Sequence, residues 1–155
     1  MYLGFNESYF HKNYREAADL VVRASRLPGS PAYLPQLATR LYAASDSFDL
    51  ASSLATQLAE QAEDPELKDA MERRVFEIRI EQDLRKLETA IAAYRASNGT
   101  LPTRLSELQE AGAISRIPTE PDGQAYVYDP TTGEVSSRTF TDRLRPYQPY
   151  VRPRQ

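Results

Sequence analysis

The chain has 155 residues, with 22 acidic side chains against 19 basic ones, and its net charge of −3 argues against general binding to polyanions. Hydrophobic residues make up 41% of the chain and charged residues 26%, which is the composition of a folded globular protein and not of a disordered one. There is no cysteine and only one histidine, His11, so disulfides, thiol catalysis, thiolate zinc sites and histidine-rich metal sites are excluded.

A period of 34 residues is visible near the N-terminus. Shifting the sequence by 34 places Tyr14 on Phe48 and Ala17 on Ala51. In each copy an aromatic residue is followed, three residues later, by an alanine that would let a neighbouring helix approach closely. This pattern resembles helix B of the tetratricopeptide repeat, a helical hairpin. The resemblance implies two such hairpins over residues 1–64, and two unrelated helical hairpins are the alternative interpretation.

The hairpin interpretation makes further predictions for this region. Segments 10–27 and 44–61 are predicted to be the second helices of the two hairpins, because their apolar residues have helical spacing. His11 is then expected in a solvent-exposed turn before the first of these helices. The first helix of the first hairpin would be cut short at Met1, which predicts a further segment upstream.

A long helix is predicted after the hairpins. Between Pro65 and Gly99 there is neither proline nor glycine, and apolar side chains recur every three or four residues. Proline suits the first turn of a helix and glycine suits a helix stop. The predicted helix over 65–98 would cap the hairpins with its first half and support the next module with its second. The alternative is a break near residues 79–83, where the apolar spacing is least regular.

Residues 99–137 predict a small module of mixed α and β structure. A short helix is expected to begin near Thr103 and to end by Gly112. Alternating residues over 125–128, the turn residues 129–133 and a returning strand predict a β-hairpin. The fold class predicted for the whole chain is therefore mainly α, with helical hairpins, a long connecting helix, a small C-terminal α+β module and an extended tail.

Three motifs occur in order within residues 80–137. A helix closes in Ala92-Ala93-Tyr94, a loop ends in Leu101-Pro102, and the run Ile117-Pro118-Thr119-Glu120-Pro121-Asp122-Gly123 enters the predicted hairpin. This order resembles the soluble domain of type II secretion major pseudopilins, in which an aspartate usually stands at the place of Glu120. The resemblance implies one small core shared by the helix end and the hairpin, formed by Tyr94, Leu101, Leu105, Leu108, Ile117 and Tyr126.

The resemblance to pseudopilins does not extend to the helix that forms the filament. Pseudopilins begin with an extremely apolar helix that packs the filament core, whereas this chain begins with charged amphipathic segments. A role as a filament subunit is therefore excluded, and the module is interpreted as a small domain on a helical scaffold. The resemblance implies a location at the periplasmic side of a bacterial cell envelope. Membrane association is expected only through an upstream anchor or a membrane-bound partner.

No catalytic, cofactor or metal site is predicted. The sequence has no Walker loop, dinucleotide-binding fingerprint, EF-hand loop or nucleophile elbow. Asp122, Asp129 and Glu134 could supply oxygen ligands to calcium, but they fall in separate predicted turns. Aspartate in a turn is better explained by local bonds to backbone N–H groups. The sequence therefore predicts a protein that is not an enzyme and needs no cofactor.

Residues 138–155 form a cationic tail. They contain five arginines against Asp142 alone, and from Pro146 onward proline recurs every three or four residues. Such a segment cannot form a regular helix, so we expect it to be extended and mobile until a partner orders it. Arginine interleaved with tyrosine suits an acidic, aromatic-lined groove of another protein. The residues expected to contact that partner are Arg143, Arg145, Tyr147, Tyr150 and Arg152.

Together these features favour a scaffold or accessory subunit that holds proteins together in a larger assembly. Tetratricopeptide arrays bind partner segments on the concave face lined by their first helices. The resemblance therefore implies partner contacts at Tyr2, Asn6, Tyr9, Phe10, Tyr33, Gln36 and Arg40. Two alternatives remain open, namely nucleic-acid binding through the basic tail and an enzyme whose site is not recognised.

Overall fold

The computed structural model describes the backbone of residues 3–144 and the side chains of residues 13–144. The described residues form a mainly α fold with a small antiparallel β-hairpin near the C-terminus, which confirms the predicted fold class. In chain order the elements are α1 (Leu3–Ser25), α2 (Leu34–Ala44), α3 (Phe48–Gln61), α4 (Pro65–Asn98), α5 (Ser106–Glu110), β1 (Val127–Tyr128) and β2 (Val135–Ser136).

The described residues divide into two compact units. Unit 1 comprises residues 3–78 together with Leu144, and unit 2 comprises residues 79–143. These limits differ from the predicted segments, which ended at residues 64, 98 and 137. The difference arises because α4 contributes its first half to one core and its second half to the other.

The first predicted hairpin is wrong, because α1 is one uninterrupted helix of 23 residues. No proline or glycine occurs between Gly4 and Pro28, and polar residues such as Lys12 and Asn13 are compatible with a helix interior. The backbone of His11 therefore lies within a helix and not in a turn. α2 and α3 form the second predicted hairpin, and α1 also packs against α2.

Small side chains at the helix contacts hold unit 1 together. Ala18, Ala43, Ala51 and Ala55 are each fully buried, and the absence of larger side chains lets the helix backbones approach closely. Larger residues of the same cluster fill the space around them, namely Leu41, Tyr42, Phe48 and Ile78. The close contact predicted at Ala51 is confirmed. In α1 the fully buried alanine is Ala18, and the predicted Ala17 is only partly buried.

Ala51→Leu is expected to destabilise unit 1 by about 1–3 kcal/mol, because no space exists for the additional atoms. Thermal unfolding followed by circular dichroism measures the effect. Ser53→Leu is the matched control, since Ser53 is exposed on the same helix and has room for the same side chain. If Ala51→Leu and Ser53→Leu melt at the same temperature as the unchanged chain, α3 is not packed as described.

The long predicted helix is confirmed as a single element. α4 runs for 34 residues without the break considered near 79–83. It ends where Gly99 adopts a φ of 74° and donates its N–H to the carbonyl of Arg95 at 2.8 Å. A positive φ is costly for residues with a Cβ, so glycine provides an efficient stop at this position.

The small core predicted for unit 2 is also confirmed. Leu108 and Tyr126 are buried against α4 residues between Ile80 and Ile91, and Tyr94, Leu101, Leu105 and Ile117 pack around them. The hairpin pairs Val127 with Ser136 and Tyr128 with Val135. At its turn Gly133 has a φ of 78°, and a Cβ there would lie 2.9 Å from a methyl group of Leu101. The positive φ of the turn therefore favours glycine, and a larger residue would also make the Leu101 side chain move.

The tail prediction is wrong for residues 138–144, which are packed and not free. Phe140 packs against the core of unit 2. Leu144 is 7% exposed and belongs to the core of unit 1. Residues 145–155, which include the predicted contacts Arg145, Tyr147, Tyr150 and Arg152, lie outside the described residues.

Candidate partner-binding surface

The predicted concave surface is described at three of its positions, all on α2 or just before it. Tyr33 precedes the helix and is 61% exposed, Gln36 is half-buried, and Arg40 is exposed. The opposite side of α2 is buried, because Ala38 and Leu41 face the core. The remaining predicted positions are not described at the side-chain level: Tyr2, Asn6, Tyr9 and Phe10.

A second arginine lies near Arg40, and sequence reasoning missed it. Arg74 is in the first half of α4. Burial lowers the pKa of Arg74, and the positive charge of Arg40 lowers it further, while Glu77 opposes both. Arg40 is therefore near enough for its charge to disfavour the charged form of Arg74.

Arg74 is poorly satisfied where it lies. Its side chain is 11% exposed, and its Nε lies 3.3 Å from Oε2 of Glu77. Neither Nε nor Nη1 makes a hydrogen bond within the described part of the chain, although both atoms are buried. A buried guanidinium with two unused donors costs free energy unless an acceptor is supplied. Unit 1 therefore holds a buried arginine whose charge Glu77 compensates only in part.

A groove of about 660 Å³ lies in unit 1 between α3 and the first half of α4. Its floor is apolar and includes Ala59, Val75 and the half-exposed Phe76. Its rim carries two acidic residues and one basic residue, Glu60, Glu72 and Lys68. Thr56 completes the lining. Sequence reasoning did not identify this groove, since it arises from the way two helices pack.

Arg143 was predicted to contact a partner, but the structure pairs it within unit 2. Its Nε and Nη2 donate to the carboxylate of Glu81 at 2.9 and 2.8 Å, and its Nη1 donates to Glu88 at 2.5 Å. These bonds raise the pKa of Arg143 above its ordinary value, although burial opposes them. Arg85 also donates to Glu81, at 3.3 Å. Arg143 is therefore already paired within unit 2, and its contact with a partner stays a prediction.

Glu120 is a buried carboxylate with a structural role. It is 1% exposed and accepts hydrogen bonds from the hydroxyls of Ser137 and Thr139 and the N–H of Arg138, at 2.9, 2.7 and 2.6 Å. Burial favours the neutral form, but the three donors outweigh burial and hold the pKa of Glu120 below its ordinary value. The carboxylate thereby fixes the chain after β2 to the loop before β1.

A second buried polar pair lies in the same unit. The hydroxyl of Tyr126 donates to Asp83 at 2.8 Å, and both residues are more than nine-tenths buried. Burial and the neighbouring carboxylate raise the pKa of Tyr126 well above its ordinary value, so the phenol stays protonated. Because solvent does not reach the pair, it stabilises the core and offers no group to a substrate.

The acidic residues in the turns accept hydrogen bonds from nearby backbone N–H groups. Asp122 accepts from the N–H of Gln124 at 3.0 Å, and Asp129 accepts from the N–H of Thr131 at 2.8 Å, as predicted for aspartates in turns. Across the part of the chain that the structure describes, no three acidic or histidine side chains converge as metal ligands would. Within that same part, no helix combines the length and the apolar character needed to span a bilayer.

Comparison of the chain with protein families, curated proteins and solved structures found no match. The function is therefore argued from the geometry of unit 1, where the two arginines and the groove are the surfaces that suit a ligand.

Proposed function

We propose that the protein is a non-enzymatic scaffold, an accessory subunit of a larger assembly, that binds an acidic segment of a protein partner at Arg40 and Arg74. The observation that carries the proposal is the pair of unused donors on Arg74 beside a second cation. A carboxylate accepts two parallel N–H groups from a guanidinium, and its negative charge would relieve the repulsion between the arginines.

The surroundings of the arginine pair support a protein ligand. Gln36 and Tyr33 lie on the same side of α2 as Arg40, one turn and two turns before it, with Tyr33 at the start of the helix. An exposed tyrosine and a half-buried amide provide apolar contact and hydrogen bonding for a peptide, and tyrosine and arginine are enriched at protein interfaces. The resemblance of residues 80–137 to pseudopilins supports placing the assembly at the bacterial cell envelope.

Nucleic-acid binding is the competing proposal, and one observation weakens it. The tail was expected to present five arginines, but Arg143 is already neutralised by Glu81 and Glu88. The remainder of the chain is acidic overall and would repel a polyanion. An enzymatic function has no supporting cluster of reactive side chains among the described residues.

The test selects, from a library of short random peptides, those that bind the full-length chain. The affinity of the enriched peptides is then measured by fluorescence anisotropy. We expect enrichment of aspartate and glutamate. Arg40→Ala should weaken binding of an enriched peptide by about tenfold or more, since a hydrogen bond to a charged group contributes about 1.5–3 kcal/mol. Arg116→Ala is the matched control, because Arg116 is an exposed arginine of unit 2.

Arg74→Met separates a binding role from a structural one. If Arg74 binds the peptide, its replacement should weaken peptide binding. The free energy of unfolding should stay unchanged or rise, because an unsatisfied buried charge is removed. Binding that is equal for the unchanged chain and both variants would contradict the proposal. Tight, strongly salt-dependent binding of a single-stranded oligonucleotide, lost in Arg40→Ala, would overturn it in favour of nucleic acid.

A further inference from the structure

The core of unit 1 continues into the groove between α3 and α4. Leu144, the last described residue, belongs to the same buried cluster as Ala55 and Ile78. Ala55 lies four residues before Ala59 on α3, and Ile78 lies three residues after Val75 on α4, so both are about one helical turn from the groove floor. The segment 145–155 therefore starts from a residue anchored in the core that borders the groove.

The segment is long enough to lie along the groove. From Ile78 to Lys68, α4 rises about 15 Å at 1.5 Å per residue. An extended, proline-rich chain advances about 3.1 Å per residue. About five residues therefore span this distance, and residues 145–155 number eleven.

The chemistry of the segment complements that of the groove. The segment has three arginines and no acidic residue, whereas the groove rim has two glutamates and one lysine. Its two tyrosines and one valine suit the apolar floor at Ala59, Val75 and Phe76. Proline-rich segments bind aromatic-lined grooves well, because their extended conformation loses little entropy on binding. The side chains concerned are Arg145, Tyr147, Tyr150, Val151, Arg152 and Arg154.

We propose that the groove between α3 and the first half of α4 binds residues 145–155 of the same chain. The anchor at Leu144 makes this binding intramolecular, so the effective concentration of the segment reaches the millimolar range expected for a short tether. A weak intrinsic affinity is then enough to keep the groove occupied. Residues 145–155 are thus proposed to bind their own chain and not a partner. The groove that they occupy is separate from the proposed partner site at Arg40.

Disulfide trapping in the full-length chain tests whether residues 145–155 occupy the groove. The chain has no cysteine, so Thr56→Cys on the groove and Gln148→Cys in the segment introduce the only two thiols. Mild oxidation should give a cross-linked monomer. The matched control combines Gln148→Cys with Asn13→Cys, an exposed position on α1, and should not cross-link. A cross-link joining two chains, or equal cross-linking in the control, would overturn the proposal.

Chymotrypsin gives a second, independent measurement on the full-length chain. It cleaves after Tyr147 and Tyr150 only when the segment is free. Phe76→Asp should speed this cleavage about tenfold, because proteolysis follows the population of the open form. Phe76→Leu keeps an apolar floor and should cleave at a rate close to that of the unchanged chain. Phe76 is 50% exposed, so both variants should fold. Equal cleavage rates in all three chains would rule out groove binding.

Discussion

Arg143→Ala is expected to destabilise unit 2 by about 2–4 kcal/mol, measured by urea unfolding. Glu81 is 4% exposed and receives two hydrogen bonds from Arg143. Removing one partner of a buried ion pair typically costs about 3–5 kcal/mol, and here Glu81 would keep the longer bond from Arg85 at 3.3 Å, which lowers the expected cost. The Arg143 side chain is 27% exposed, and partial solvation reduces the expected effect below that range.

Glu88→Ala is the matched control for this prediction. Glu88 accepts from the same guanidinium, but its side chain is 44% exposed. Its removal should cost no more than about 1 kcal/mol, as for other exposed ion pairs. If Arg143→Ala destabilises the protein no more than Glu88→Ala does, the pairing with Glu81 contributes little. Ending the chain after residue 138 should also destabilise it, and by more than ending it after Leu144, since only the first deletion removes Phe140, Arg143 and Leu144.

Glu120→Ala is expected to cost about 3 kcal/mol, because it leaves the Arg138 N–H and two hydroxyls without a charged acceptor. Chemical denaturation at neutral pH measures the loss. Glu134→Ala is the control, since Glu134 is an exposed glutamate at the hairpin turn and its replacement should change stability by less than about 0.5 kcal/mol. Equal effects of the two substitutions would contradict the role assigned to Glu120.

The same residue predicts a pH dependence with a definite sign. The pKa of Glu120 is lower in the folded protein than its ordinary value of 4.5, so the unfolded chain binds the proton more readily. Its contribution to stability is therefore complete above pH 4.5 and is lost as the pH falls through the folded-state pKa. Glu120→Gln removes this titration, so its stability should fall less steeply with acidification. If the stability of the unchanged chain and that of Glu120→Gln fall equally with decreasing pH, the lowered pKa of Glu120 is contradicted.

Elements specified by neighbouring residues could be predicted from the sequence. The length of α4 follows from the absence of proline and glycine between Pro65 and Gly99. The hairpin follows from alternating residues on either side of the turn that ends in Gly133. The turn expected near His11 failed for the converse reason, because polar residues permit a turn without requiring one, and the helix continues through them.

The parts that could not be predicted depend on residues far apart in the sequence. Arg143 appeared to be a free cation because its partner Glu81 lies 62 positions earlier. Glu120 appeared to be one more loop glutamate because its donors follow 17 to 19 positions later. Arg74 was not singled out in the sequence, because its burial beside Glu77 depends on how the helices of unit 1 pack. Composition and spacing describe neighbours well and say little about such distant pairs.

The place of Leu144 in the core of unit 1 has a consequence for the emergence of the chain from the ribosome. The other residues of that core have all been synthesised by residue 78, yet the cluster still lacks a buried leucine that is made 66 residues later. Until then, the apolar surface that Leu144 covers stays open to solvent. Because such transiently open surface favours association between nascent chains, the interval between residues 78 and 144 is the one in which a chaperone would protect this protein most.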